Sequence, residues 1–579
     1  MNDLTRRISS LPPEKLALLE RRLKLRPDAA GAAVPPAAAP SPVGGNGSLS
    51  HVEGAQELAA WPSEQRQIEE TLEQHPGLQK SKVVFGADNS GKTHKVAYLV
   101  PDDDSAGPVR RLLRMESELP APGRPLYEMP NGMAVFHLNR SETEYVYREI
   151  FEEQSYLRHG IRLPADACVF DVGAHIGLFT LFVSQLSPGA TVYAFEPLPP
   201  TFDALRLNAS LYGVNAKLFD FGLSDREGHA TFSYYAHASV LSGCYADAEV
   251  ERETIRASLN AQRQLGVKGM SLSEAEIEDL LQAMLTVETF TRPVKTLSQV
   301  IRENGVERID LLKVDVEKSE RDVLAGIDEE GWPKIRQVVV EVHDVGGRVE
   351  ELTRLLEGRG FRLTVEQDAI LRETSLYNIY GVRPSADETA PASTGGRAAL
   401  APRWKWSSPE RLLGDVRQFA LEKLPAHLRP DEFVLLNALP LTPGGEVKHP
   451  PRVSHNGRRP GAAGAPGHSR PTAEEELTKL WAEALGLERV SGSENFFSLG
   501  GDWLRATELL ARVRQTFDVE LSPRDLYEAP TPAELARVVA ARAPGQEARA
   551  AQESSSRSSR EGRHLPKLTA SRKRTWTPS

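Results

Sequence analysis

The run VFDVGAHIGLFT carries Asp171, Gly173 and Gly177 in the spacing D-x-G-x-x-x-G, and the next apolar run, VYAFEP, ends on Glu196. Glycine lets a backbone approach a ligand that a Cβ would keep away. A carboxylate at a neighbouring strand end can accept two hydroxyl hydrogen bonds, which suits a ribose. The spacing departs from the dinucleotide pattern G-x-G-x-x-G and fits S-adenosylmethionine better than NAD. The bland alternative is a glycine turn kept for packing. Two more runs bear on proton chemistry. LLKVDVE places Asp315 and Glu317 two residues apart, and VVVEVHD does the same for Glu341 and His343. Residues two apart on a strand share a face, so the four can converge where an acceptor hydroxyl must give up a proton. His343 titrates nearest neutrality and is the leading base. The alternative is that these acids orient backbone or cap helices. A metal site built from the same acids is conceivable, but none is assigned.

The elements that must position these residues alternate over 160–345. ACVFDVG, ATVYAFEP, IDLLKVDVE and RQVVVEVHD read as buried strands, and LFTLFVSQL, TFDALRLNASLYG and SERDVLAGI as the helices between them. That alternation predicts an α/β doubly wound parallel sheet. Such sheets bind ligands at the carboxyl ends of their strands. Residues 246–285, between the third and fourth strands, read as a charged helical insertion that could cover a site. Upstream, 63–101 reads helix, strand, turn, strand. Its GADNSGKT, Gly86 to Thr93, matches a phosphate-loop pattern. That loop needs a following helix, whereas HKVAYLV alternates like a strand, so a plain hairpin turn is expected. A short amphipathic helix is expected at 11–25, linkers at 28–50 and 451–471, and a disordered basic tail at 544–579.

Bulk properties narrow the classes. A chain of 579 residues suggests three or four domains. Its net charge of −10 argues against nucleic acid as a partner. Two cysteines, Cys168 and Cys244, exclude a disulfide framework and a cysteine-rich zinc site. No apolar run is long enough for a membrane helix, and the N-terminus lacks an apolar signal core. A soluble, cytoplasmic protein is the expectation.

The stretches NRSETEYVYREIFEEQSYLRHGI, VFDVGAHIGLFT, VYAFEP, FGLSDREG, DLLKVDVEKSERDVL and VVVEVHD together resemble the FkbM-type methyltransferases, with a domain over 115–385. The resemblance implies a class I methyltransferase core, S-adenosylmethionine as donor and an oxygen as usual acceptor. By position, Asp171, Gly173, Gly177 and Glu196 would hold the donor, with Ser224 and Asp225 near the adenine. The chain departs from the family at His175, where Asn is commoner, and at Lys318, where Gly is usual.

The flanks resemble something else. Residues 51–102 and 400–450 look like two parts of the small α+β C-terminal subdomain of adenylation domains in nonribosomal peptide synthetases, with the methyltransferase spliced between them. Glu446, in PGGEV, stands where that family has its catalytic lysine. An anion cannot steady developing negative charge, so adenylation is not expected. Residues 472–543 resemble a peptidyl carrier domain, an all-α four-helix bundle whose first helix opens with a capping box, Thr472 and Glu475. In FFSLGGDWL, Trp503 occupies the place of the serine that carries phosphopantetheine. Indole has no nucleophilic oxygen, which puts that cofactor in doubt here. Residues 1–27 resemble assembly-line docking helices. The whole therefore reads as a multidomain O-methyltransferase in a synthetase remnant. It would act on the hydroxyl of a small-molecule or carrier-bound intermediate, with other synthetase modules or carrier proteins as partners. The rival readings are a non-catalytic docking scaffold and N-methylation of an aminoacyl group.

Overall fold

The structure, a computed structural model, describes residues 53–87, 93–118, 125–245, 285–367, 375–384, 403–439, 472–487, 489–501 and 503–542, with a few residues between 252 and 282. The expected N-terminal helix, both linkers, the tail, Glu446 and most of the 246–285 insertion lie outside them.

The first described helix, Glu53–Leu72, leads into strands β1 (Leu78–Ala87) and β2 (Thr93–Pro101). They pair antiparallel, with Gly86 opposite His94 and Ala87 opposite Thr93. A strand, not a helix, follows Gly86–Thr93, so no helix N-terminus stands there to hold a phosphate. After helix Gly107–Glu118 and the hairpin of β3 (Leu126–Glu128) and β4 (Ala134–Phe136), helix Arg140–Tyr147 begins. Asn139 caps it by accepting from the Ser141 and Glu142 amides. It runs directly into a π-helical turn, Arg148–Glu152.

The central sheet takes its strands from β5 (Cys168–Val172), β6 (Thr191–Phe195) and β7 (Ala216–Phe219). A small side sheet follows from β8 (Gly222–Leu223), β9 (Gly228–Tyr235) and β10 (Val287–Lys295). The chain then returns through β11 (Leu311–Val314), β12 (Gln337–His343), β13 (Arg362–Glu366) and β14 (Leu376–Val382). The spatial order is β7-β6-β5-β11-β12-β14-β13. β7 through β12 run parallel, and β14 is antiparallel to both its neighbours. The chain winds outward on both sides of the β5/β11 boundary, so that boundary is the switch point at which open α/β sheets bind ligands. Strands this apolar must be covered on both faces. Phe170, Val172, Leu312, Val314 and Val340 enter one core with Trp332 and Leu352. Val169, Leu311 and Val339 enter the other with Phe179, Phe182 and Leu205.

The chain then returns to its starting body. Helix Pro409–Lys423, capped by Ser408, precedes β15 (Glu432–Leu435). β15 lies parallel against β2 to complete a three-stranded sheet, β1-β2-β15. Ile68, Leu72, Val83 and Leu99 share one core with Trp406, Val416 and Leu428. Segments from both flanks therefore fold as one unit around the interruption.

Beyond it, helices Ala473–Leu485, Trp503–Phe517, Pro523–Glu528 and Pro532–Arg542 pack around Trp481, Phe496, Leu509, Leu526 and Leu535. Thr472 and Glu475 form the capping box that their spacing predicts. Among the described residues, no helix is long and apolar enough to cross a membrane.

Candidate functional site

Glycine is obligatory where β5 ends. Gly173 has φ +79°, and a Cβ there would lie 1.7 Å from the Asp315 carbonyl oxygen. Gly177, at φ +90°, would meet Leu205 at 2.7 Å. The loop between them is drawn tightly against the ends of β5 and β11. Asp171 faces Lys313 across the ladder of those two strands. The Lys313 Nζ lies 3.2 Å from Asp171 Oδ1 and 3.3 Å from Asp315 Oδ2, and it donates to the Gly173 carbonyl at 2.9 Å. Thr180 donates to the other Asp171 oxygen at 2.7 Å. Asp171 is fully buried: Thr180 bonds one oxygen, and the other has the Lys313 ammonium nearby but no hydrogen bond within the protein. Burial pushes the Asp171 carboxyl up while Lys313 pulls it down. Burial alone would lower the Lys313 pKa, yet Asp171 and Asp315 raise it above the usual lysine value. The two tendencies conflict. With Thr180 donating to one Asp171 oxygen and the Lys313 ammonium 3.2 Å from the other, the charged pair is the form the geometry supports.

Glu196 follows β6. One carboxylate oxygen accepts from the His175 amide and the other from the Leu198 amide, both at 2.9 Å. A carboxylate offers about four lone-pair positions, so these two amides leave room for hydroxyl donors. Burial raises its pKa, and a diol supplying two donors would offset that cost. The close loop and this acceptor fit the adenosyl portion of S-adenosylmethionine. Ser224 and Asp225 lie at the end of β8. The Ser224 amide donates to the Lys295 carbonyl at 2.9 Å, and its Oγ reaches Asp225 at 3.3 Å. Arg226 also lies 3.8 Å from Asp225.

The sheet face that is apolar at Val169, Leu311 and Val339 becomes charged two residues further along each strand, at Asp171, Lys313 and Glu341, with Asp315 just past β11. Tyr156 donates to Asp315 Oδ2 at 3.0 Å. Asp315, Glu317 and Glu341 have oxygens all within 4.8 Å of one another, so the structure gathers the acids of the two runs. Two of the three already face a protein cation: Lys313 at Asp315 and His343 at Glu317, 3.2 Å away.

His343 does not stand free. Its other nitrogen lies 3.3 Å from Glu320, which Arg348 also engages at 2.9 Å. Burial lowers its pKa, but Glu320 and Glu317 outweigh that, and the net shift is upward. A carboxylate at each ring nitrogen favours the imidazolium form, which has no lone pair for a proton. Glu341 is different. Burial, then Asp315, Glu149 and Glu317, hold its carboxyl well above the usual range. Glu149, in the π-helical turn, is pushed up to about 7 by burial and by Asp315. Like charges this close cannot all ionise.

Sequence reading missed Lys313, Glu149, Tyr156 and a half-buried chain at His175. His175 Nε2 lies 2.9 Å from Ser239 Oγ. Ser239 in turn donates through its amide (3.0 Å) and its hydroxyl (2.5 Å) to Glu142. Burial lowers His175 to about 4 and pushes Glu142 up to about 7. The one usable signal was a lysine inside the apolar strand LLKV.

Residues 171–363 match the methyltransferase FkbM domain, and 475–539 match the phosphopantetheine attachment site domain. The chain is similar to the 31-O-demethyl-FK506 methyltransferase FkbM of Streptomyces tacrolimicus, at 43% identity over 43% of this chain and 94% of that protein. It is also similar to methyltransferase sdnD of Sordaria araneosa, at 33% identity over 40% of this chain and 87% of that protein. The AMB antimetabolite synthetase AmbE of Pseudomonas aeruginosa is 39% identical over 72% of this chain, which spans 20% of that synthetase's length.

Proposed function

Because this chain belongs to the FkbM methyltransferase family, we infer that it transfers the methyl group of S-adenosylmethionine to a hydroxyl oxygen of an assembly-line intermediate. The observation that carries this reading is the junction of the Gly173–Gly177 loop and Glu196 with the acidic ends of β11 and β12. The donor supplies an electrophilic methyl on a cationic sulfonium. Glu196 would accept its ribose hydroxyls. Asp171 and Lys313 hold the loop that approaches it. Carboxylates in excess of cations at the strand ends favour the positive charge on the donor.

The acceptor proton goes to the Glu341 carboxylate, with Glu149 beside it. Mutual repulsion makes such carboxyls hold a proton more tightly than an isolated carboxylate does, which moves its release toward the working pH and suits base work. His343, held as a cation, instead neutralises Glu317 and Glu320. The name of the FK506 relative places its own methyl on oxygen, and the resemblance to AmbE supports a synthetase setting. The interrupted body of 53–118 and 403–439 is read as the two parts of an adenylation C-terminal subdomain, in which Glu446 at the lysine position argues against adenylation.

The test uses the full chain with isotopically labelled donor. Hydroxylated acceptors are offered free and as carrier thioesters, and the products are located by mass spectrometry. Label on oxygen supports the reading. Label on nitrogen, or none on any acceptor while the donor binds, overturns it.

A further inference from the structure

The C-terminal helical domain sits against the methyltransferase. Arg140, the first residue of the helix after β4, donates to the Leu499 carbonyl at 3.2 Å. Gly500 lies directly on that side chain. It has φ +95°, and a Cβ there would meet Arg140 Cδ at 2.8 Å and two of its nitrogens at 3.1 Å. Arg140 is itself held in place, by Glu144 at 2.8 Å and with its guanidinium 4.6 Å over the Tyr127 ring. On the same face, His237 lies edge-on to Tyr527 at 4.7 Å and near Phe497 at 5.8 Å, and those two rings stack at 4.3 Å. Burial lowers the His237 pKa, so a neutral ring meets the aromatic pair.

The two sides carry chemistry close behind the contact. On the carrier side, Gly500 is three residues from position 503, where the helix begins and where a carrier bears its arm. On the methyltransferase side, Glu142 lies in the first turn of the Arg140 helix. It bonds Ser239, which bonds His175 in the donor loop. We propose that this chain's own carrier domain docks through Leu499–Gly500, Phe497 and Tyr527 onto Arg140 and His237, and so occupies the face at which a carrier would present its cargo to the methyltransferase. The second half rests on the carrier-bound reading of the acceptor. With Trp503 at the attachment position, the docked domain holds that face without delivering anything to it.

The experiment is hydrogen–deuterium exchange on the full chain without acceptor, comparing wild type with Arg140→Glu/His237→Ala. Losing a charge-assisted hydrogen bond together with a ring contact should speed exchange about ten-fold or more. The acceleration should appear in peptides over 237–243 and 496–501, with S-adenosylmethionine affinity unchanged. Gly500→Val, on the carrier side, should open the same peptides, which guards against a misfolded first variant. Unchanged exchange in both variants overturns the docking. The carrier-bound reading fails separately, if a free hydroxyl acceptor is methylated as fast as its carrier thioester.

Discussion

Replacing Lys313 with methionine removes one cation from between two carboxylates. The side chain is 3% exposed, and Asp171, which it faces, is fully buried. Breaking a buried pair by deleting one partner typically costs ~3–5 kcal/mol. A second route gives an upper bound. The protein can relieve the orphaned Asp171 by protonating it. From an unfolded pKa of about 3.9 to pH 7 that costs about 4 kcal/mol, at about 1.4 kcal/mol per pH unit. The two figures agree, so Lys313→Met should destabilise the methyltransferase by about 4 kcal/mol at pH 7. The pH dependence has a fixed sign. In the variant the folded pKa of Asp171 rises further above its unfolded value, so the penalty is largest at neutral pH and fades as pH falls toward 4. Calorimetry follows the one transition that S-adenosylhomocysteine shifts, which picks out this domain among several. A variant as stable as wild type at pH 7 would refute the buried-pair account. So would a loss that stays constant down to pH 5.

Four further outcomes are expected. Glu196→Gln should weaken donor binding by about five- to 150-fold in titration calorimetry, and unchanged affinity would remove Glu196 from the donor site. Glu341→Gln should lower turnover by ~10²-fold or more with donor affinity retained, whereas Glu149→Gln removes a like charge and should move the acid limb of the pH–rate profile to lower pH; identical profiles would assign the base elsewhere. Lys318 sits at φ +71°, next to Glu317 at +44°, so Lys318→Gly should stabilise the domain by about 1 kcal/mol in the same calorimetry. Incubation with coenzyme A and a phosphopantetheinyl transferase should add no mass to the wild type, while Trp503→Ser should acquire the arm; a loaded wild type would contradict the loss of the attachment point.

The strands and the glycine loop were legible because each signal is local. ACVFDVG and RQVVVEVHD are apolar runs bounded by turns, and Gly173 and Gly177 declare a backbone pinned against something. The order of strands is not local. Only when β11 lies beside β5 does Lys313 stand opposite Asp171 and add an internal ion pair to that residue. The partners of His343 were hidden for a related reason. Its strand neighbours, Glu341 and Val342, say nothing of Glu320 and Arg348, which approach from the two helices that flank β12. Glu149 was invisible because its role depends on a π-helical turn upstream of the sheet. Lys318 is the opposite case: a departure from a glycine position visible in sequence, and a left-handed residue in the structure.

The pairing of β2 with β15 has a consequence for how this chain is made. The Lys95 amide donates to Asp431, a residue 336 positions later. At ~5–20 residues per second, a ribosome needs roughly 20–70 s to supply that partner. Throughout that time the outer edge of β2 presents unpaired amides and carbonyls, the situation that invites association with other chains. The intervening domain can fold first and draw the two ends together, because closing a compacted loop costs far less entropy than closing an extended one. The small sheet therefore depends for its assembly on a domain with which it shares no strand. Damage to the methyltransferase core that slows its folding would then surface as aggregation seeded by a segment more than 60 residues upstream of β5, which begins at Cys168.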